Sequence, residues 1–105
     1  MSEARIVLTT TGSRDEAAKI AHALVERRLA ACVNIVSQIE SVYRWQDKVE
    51  TATECLLIIK TQAAAFERVR DAIKELHSYD LPECVMLEIA AGSSAYLHWI
   101  RDNTN

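Results

Sequence analysis

Two long runs of strand-like sequence, Ala31 to Tyr43 and about Val49 to Lys60, flank the polar Gln46-Asp47-Lys48 and set the outline of this chain. Each run exceeds ten residues, against ~5 to 6 in an ordinary strand. A hairpin built from them projects beyond any helix the same chain lays on it, so its distal half needs another cover. Along the second run Glu50, Ala52 and Glu54 give way to Leu56, Ile58 and Lys60, polar toward the tip and mostly apolar toward the base. Along the first, Val33, Ile35 and Ile39 are spaced for one face. The tip carries Trp45 beside Tyr43 and Arg44, residue types that anchor protein interfaces, and a partner subunit is the simplest cover.

The segments around the hairpin alternate in period. Arg5 to Thr11 is short and β-branched, and Gly12 ends it, which predicts a buried strand running into a turn. Ser13-Arg14-Asp15-Glu16 has the form of a capping box, and Ala17, Ile20, Ala21, Leu24 and Val25 then recur at helical spacing to about Arg28. Asp15 and Glu16 are read as helix-cap acids. A second amphipathic helix spans Gln62 to His77 through Ala65, Phe66, Val69, Ile73 and Leu76. Cys84 to Ile89 reads as a short fourth strand, and Gly92-Ser93-Ser94 opens a last helical turn or two carrying Tyr96, Leu97, Trp99 and Ile100.

The order β-α-β-β-α-β, with a short C-terminal helix, predicts an α+β ferredoxin-like sandwich: four antiparallel strands with both long helices on one face. The other face starts uncovered. Because strand residues are apolar on both faces and the last helix is too short to cover a sheet, association between copies is expected to bury it.

Composition narrows function. At 105 residues the chain, 1–105, is expected to be a single domain. A net charge of -3 in alternating signs holds no basic run to track phosphates, which argues against nucleic acid. No apolar run approaches the ~18 residues of a membrane span, and a cytoplasmic protein is the expectation. Cys32, Cys55 and Cys84 are odd in number, lack Cys-x-x-Cys spacing and lie among apolar residues, so they read as packed hydrophobes.

Chemistry, if present, belongs near His77-Ser78-Tyr79-Asp80-Leu81-Pro82-Glu83, where an imidazole, a phenol and two carboxylates fall in one segment. Pro82 biases Leu81 away from helical dihedrals, so this stretch leaves the preceding helix as a loop. Tyr43, Trp45, Lys60, Tyr79 and Glu83 together suit an intersubunit cleft whose aromatic wall, lysine and carboxylate would take a small anion or zwitterion. The plainer reading makes Tyr43, Trp45 and Trp99 interface packing, Lys60 the neutraliser of a carboxylate and Glu83 a partner for backbone donors. His22 and His98 are expected to be structural.

Leu29-Ala30-Ala31-Cys32-Val33-Asn34-Ile35, Ser41-Val42-Tyr43-Arg44-Trp45, Ile59-Lys60-Thr61, His77 to Glu83, and Tyr96-Leu97-His98-Trp99-Ile100 occur in an order and spacing that resembles the CutA family of divalent-cation tolerance proteins. The likeness covers nearly the whole chain. It implies a homotrimer, similar in architecture to the PII signalling proteins, with hairpins crossing between subunits. It also implies a cytoplasmic role in divalent metal tolerance with no settled reaction and no required cofactor, copper(II) being bound by some members. His77 matches a family histidine associated with copper, and a site there would need Asp80, Glu83, a neighbouring subunit or water to complete it. Leu76 stands where some members have a second histidine, and Thr9 where some have a cysteine. The competing role for His77 is to cap its helix, where an imidazole favours the negative end of the dipole.

A non-enzymatic trimeric factor therefore leads, since the sequence shows no nucleophile, base and oxyanion set. A PII-like sensor of a small effector is the second reading. An enzyme built on Lys60, His77 and Glu83 is the weakest, because spacing alone supplies no positioned acid-base pair.

Overall fold

The capping box forms where the sequence puts it. Ser13 Oγ accepts the Glu16 backbone N–H at 3.1 Å, and Ala17, Ile20, Ala21 and Leu24 of the helix it starts are buried. The computed structural model describes residues 3–105. In chain order it holds β1 (Ala4–Thr11), α1 (Arg14–Glu26), β2 (Cys32–Trp45), β3 (Lys48–Gln62), a single 3-10 turn (Ala63–Ala65), α2 (Phe66–Leu76), β4 (Val85–Glu88) and α3 (Ser94–Asp102). The strands lie in the order β2-β3-β1-β4, every neighbouring pair antiparallel, which is the ferredoxin-like sheet that the element order predicts.

Alternation along the strands sorts the sheet's two faces. Val7 on β1 and Leu57 and Ile59 on β3 share a core with Ile20 and Leu24 of α1 and Val69 and Ile73 of α2, all fully shielded from water. Each such side chain contributes about 1.5–3 kcal/mol by leaving water. Ile6, Leu8, Leu56, Ile58, Val85 and Leu87 point the other way, since they sit opposite one another in the β1–β3 and β1–β4 registers. Among the described residues no long helix covers that second face. Val85 and Leu87 keep 46% and 47% of their surface exposed. The helix α3 docks near Ala4 and Gln62 and at Arg28, whose Nη2 donates to the Asp102 carbonyl at 2.9 Å, and just beyond the helix Thr104 Oγ1 accepts from Gln62 Nε2 at 2.6 Å.

The hairpin sets the molecule's length. A strand the length of β2, 14 residues, extends for about 46 Å at the usual rise, and the long axis of the molecule is 44 Å. Gln46 and Asp47 both have positive φ, 50° and 66°, the pair that a two-residue type I′ hairpin turn requires.

Within the arm, the alternation expected from sequence is broken once. Val36 pairs with Leu56 but Ile39 pairs with Glu54, so one extra residue enters β2, and Gln38 takes φ 60° to accommodate it. Val33 and Ile35 share one face, as expected, and it packs toward the helices, but the bulge turns Ile39 to the opposite face. Ser41, Tyr43 and Trp45 follow Ile39 onto the helix-free side, opposite Ala52, Glu50 and Lys48. Two smaller differences follow from chain geometry. The last helix runs nine residues rather than a turn or two, and Cys84 falls just before β4 instead of within it. His22 and His98, expected to be structural, are both exposed.

Candidate functional site

The segment from His77 to Cys84 leaves α2 as a loop, with His77 at the C-cap in extended conformation (φ -88°, ψ 143°). Its imidazole does not face the helix end, and it does not face water either. The side chain is fully buried. Nε2–H donates to the Thr10 carbonyl at 2.6 Å, and Nδ1 accepts the Tyr79 backbone N–H at 3.1 Å with Glu16 Oε1 3.2 Å away. Both ring nitrogens are engaged in either protonation state, so His77 fastens the loop to the end of β1. Glu16 helps: its Oε1 also accepts the Ser78 N–H at 3.4 Å. That carboxylate serves the loop as well as the start of α1, a second role that the helix-cap reading does not contain.

From this lock the chain sends Tyr79 across the end of β1. The His77 and Tyr79 rings meet at 4.6 Å between centroids, and Tyr79 Oη donates to Glu54 Oε2 on β3 at 2.7 Å. Gly12 makes room for this crossing, since a Cβ there would lie 3.0 Å from the Tyr79 hydroxyl oxygen. Burial, then the hydrogen bond to Glu54 and that group's charge, push the Tyr79 phenol well above its ordinary 10.0. The folded state therefore holds the phenol proton more tightly than the unfolded chain. This contribution to stability is complete below pH 10.0 and is lost as the pH rises from there through the shifted value. Tyr79→Phe is expected to flatten the alkaline limb of stability against pH, measured by urea melts on either side of pH 10.0. An unchanged slope would show that the pair is not coupled to folding.

Between this loop and the arm lies a cleft of about 610 Å³, lined by Thr10, Ser41, Val42, Tyr43, Trp45, Glu54, Tyr79, Asp80, Leu81 and Glu83. The bulge at Gln38 brings Tyr43 and Trp45 into it, by turning the distal half of β2 onto the helix-free side. Tyr43, Trp45, Tyr79 and Glu83 all line this cleft, within a single chain.

Lys60 is not with them. It sits at the base of the hairpin opposite Cys32 on β2 and Ile6 on β1, and its ammonium hydrogen-bonds to Asn34 Oδ1. The lysine of the expected anion pocket is therefore absent from the cleft, and no lysine, arginine or histidine lines it among the described residues. Trp99 also lies elsewhere, on α3, stacked on Tyr96 at 5.6 Å and half-exposed. Glu54 is the residue that sequence reasoning misses. Its neighbours in the chain make it part of a polar arm, yet only 8% of it is exposed.

The residues do not fit a tight transition-metal centre. A ligating imidazole must offer a free nitrogen lone pair, and both His77 nitrogens are taken within the chain. Asp80 and Glu83 line the cleft, apart from that locked ring. Among the described residues no group of three or more histidine, cysteine, aspartate or glutamate side chains is placed to hold a metal ion. Burial pushes the Cys84 thiol up more than the Arg70 charge draws it down, and Cys84 belongs to no such group among the described residues.

Comparison with known proteins agrees with the sequence resemblance. Residues 5–103 match the family described as CutA1 divalent ion tolerance protein. The divalent-cation tolerance protein CutA of Thermus thermophilus is 50% identical over 99 residues, 94% of this chain and 96% of that protein. A solved structure of the divalent cation tolerance protein from the same organism superposes with a TM-score of 0.95 at 49% identity, covering 97% of this chain and 99% of the other. The chloroplastic CutA protein of Arabidopsis thaliana is 43% identical over 94% of this chain, which spans only 54% of that longer protein.

Proposed function

Since the chain belongs to the CutA1 divalent ion tolerance protein family, we propose that it acts as a non-enzymatic homotrimer in the cytoplasmic response to divalent metal ions. The observation that carries this reading is the helix-free sheet face. It presents Ile6, Leu8, Leu56, Ile58, Val85 and Leu87 on one side and continues into an arm that its own helices do not reach. Apolar surface of this extent on a small domain marks an interface, and a closed ring of copies covers every such face with its neighbour's. Binding without turnover accords with an imidazole whose two nitrogens are both engaged within the chain, outside the cleft, where it is not available as a general base.

Copper(II) binding, in this reading, is weak and rests on exposed carboxylates such as Asp80 and Glu83 with water, not on His77. Sedimentation equilibrium of the metal-free protein is expected to give three times the single-chain mass, and calorimetric titration with Cu(II) is expected to give equal, weak affinity for the wild type and for His77→Gln. A single-chain mass at micromolar concentration would remove the trimer. A marked loss of Cu(II) affinity in a folded His77→Gln protein would restore the histidine as a ligand.

A further inference from the structure

The cleft between the arm and the 79–83 loop has a polarity opposite to the one its sequence suggests. Lys60 is outside it, and its ionisable lining is acidic or phenolic: Glu54, Asp80 and Glu83 with Tyr43 and Tyr79. Glu54 is the informative group. It is more than nine-tenths buried, it lines the cleft, and only one of its oxygens is used. Oε2 accepts from Tyr79, and Oε1 is not among the buried side-chain atoms left without a partner, so it opens to the cleft. A carboxylate oxygen that opens onto a cleft from an otherwise buried side chain is placed to meet a ligand's donor or cation.

The walls decide between kinds of cation. A hard metal ion takes six or more oxygen ligands and gains little from rings, but three of the cleft's lining residues, Tyr43, Trp45 and Tyr79, are aromatic. Aromatic faces with a carboxylate beneath are the chemistry that recognises an alkylammonium group: the rings attract the cation through their quadrupoles and cover its methylenes, and the carboxylate takes its N–H donors. The volume, about 610 Å³, suits a small molecule and exceeds what a bare ion needs.

We propose that this cleft binds a small organic ammonium ion, an aliphatic diamine in its fullest form, with one ammonium on Glu54, the carbon chain between Tyr43, Trp45 and Tyr79, and the other end toward Asp80 or Glu83. The proposal goes beyond metal tolerance and does not depend on it, because it concerns the metal-free protein.

The chain has two tryptophans, so Trp99→Phe leaves Trp45 as the sole reporter at the cleft. Putrescine titrated into that protein, in a buffer containing a chelator, is expected to change Trp45 fluorescence saturably at millimolar concentration, with sodium chloride at equal ionic strength giving no saturation. Glu54→Gln keeps an acceptor for Tyr79 but removes the charge, and it is expected to weaken putrescine about tenfold or more, the loss of one charge-assisted contact. Asp80→Asn, at an exposed loop position, serves as the second variant should Glu54→Gln fail to fold, with a smaller loss expected. A response equally produced by magnesium, or by a small dicarboxylate, would overturn the proposal. So would equal putrescine affinity in wild type and both folded variants, or no saturable response at all, the result expected if a neighbouring copy's arginine or lysine already fills the cleft.

Discussion

Replacing His77 with alanine is expected to lower the unfolding free energy by about 2–4 kcal/mol. Two terms add in the same direction. The Thr10 carbonyl and the Tyr79 N–H lose partners at 2.6 and 3.1 Å, each costing ~1–3 kcal/mol where water does not replace the ring. The fully buried imidazole also leaves a void, and the ring contact with Tyr79 disappears with it. Urea melts of wild type, His77→Ala and His77→Gln would give the size, and glutamine is expected to recover part of it by bonding one of the two backbone groups. A loss under half a kcal/mol would mean that the loop is held by other contacts. The same change is expected to free Tyr79 from Glu54, so the alkaline stability limb of His77→Ala should resemble that of Tyr79→Phe.

Ile58→Asp tests the assembly and has the other large effect. Ile58 lies on β3, inside the sheet, opposite Leu8 on one side and Asn34 on the other, on the face without a long helix. In a lone subunit Ile58 is already partly covered, so the substitution costs strand propensity, about 1 kcal/mol, together with part of the apolar burial that Ile58 has within its own chain. Buried between copies, an unpaired charge costs several kcal/mol in every subunit. Sedimentation is expected to shift from three copies to one while far-UV circular dichroism stays near wild type. Leu87→Asp, on the edge strand, is expected to act in the same direction but less. Persistence of the assembly in both variants would show that another surface holds it.

The elements are legible in the sequence because each signal is local. Ser13 and Glu16 sit three residues apart and cap α1 as a pair, the apolar spacing of Val69 and Ile73 places α2 on the core, and Pro82 keeps the following segment out of the helix. What stays hidden depends on contacts across long separations. Nothing beside His77 shows that it will meet Thr10, 67 residues away, and with both nitrogens spent there its chemistry becomes structural. Glu54 looks like one more polar residue on an exposed arm until Tyr79 arrives from a separation of 25 residues to cover it.

The bulge is hidden for a different reason. Left-handed backbone is usually announced by glycine, asparagine or aspartate, and here Gln38 adopts it without that mark. Reading straight through it keeps Ile39 with Val33 and Ile35, and so misplaces every side chain out to Trp45. Lys60 escapes for a related reason. Its place in the alternation is right, on the face with Leu56 and Ile58, but it stands at the opposite end of the hairpin from Trp45.

The extra residue at Gln38 also works as a parity device. Upstream of it, even-numbered positions of β2 look away from the helices; downstream, odd-numbered ones do. Removing it, or adding one more residue between it and the tip, would invert the arm, sending Tyr43 and Trp45 to the wrong side and Val42 and Arg44 to the right one, while a pair of residues added to each strand would only move the tip outward. Reach and orientation are thereby separable in this fold: the ribbon can grow or shrink by twos without changing the side to which Tyr43 and Trp45 turn, but not by ones.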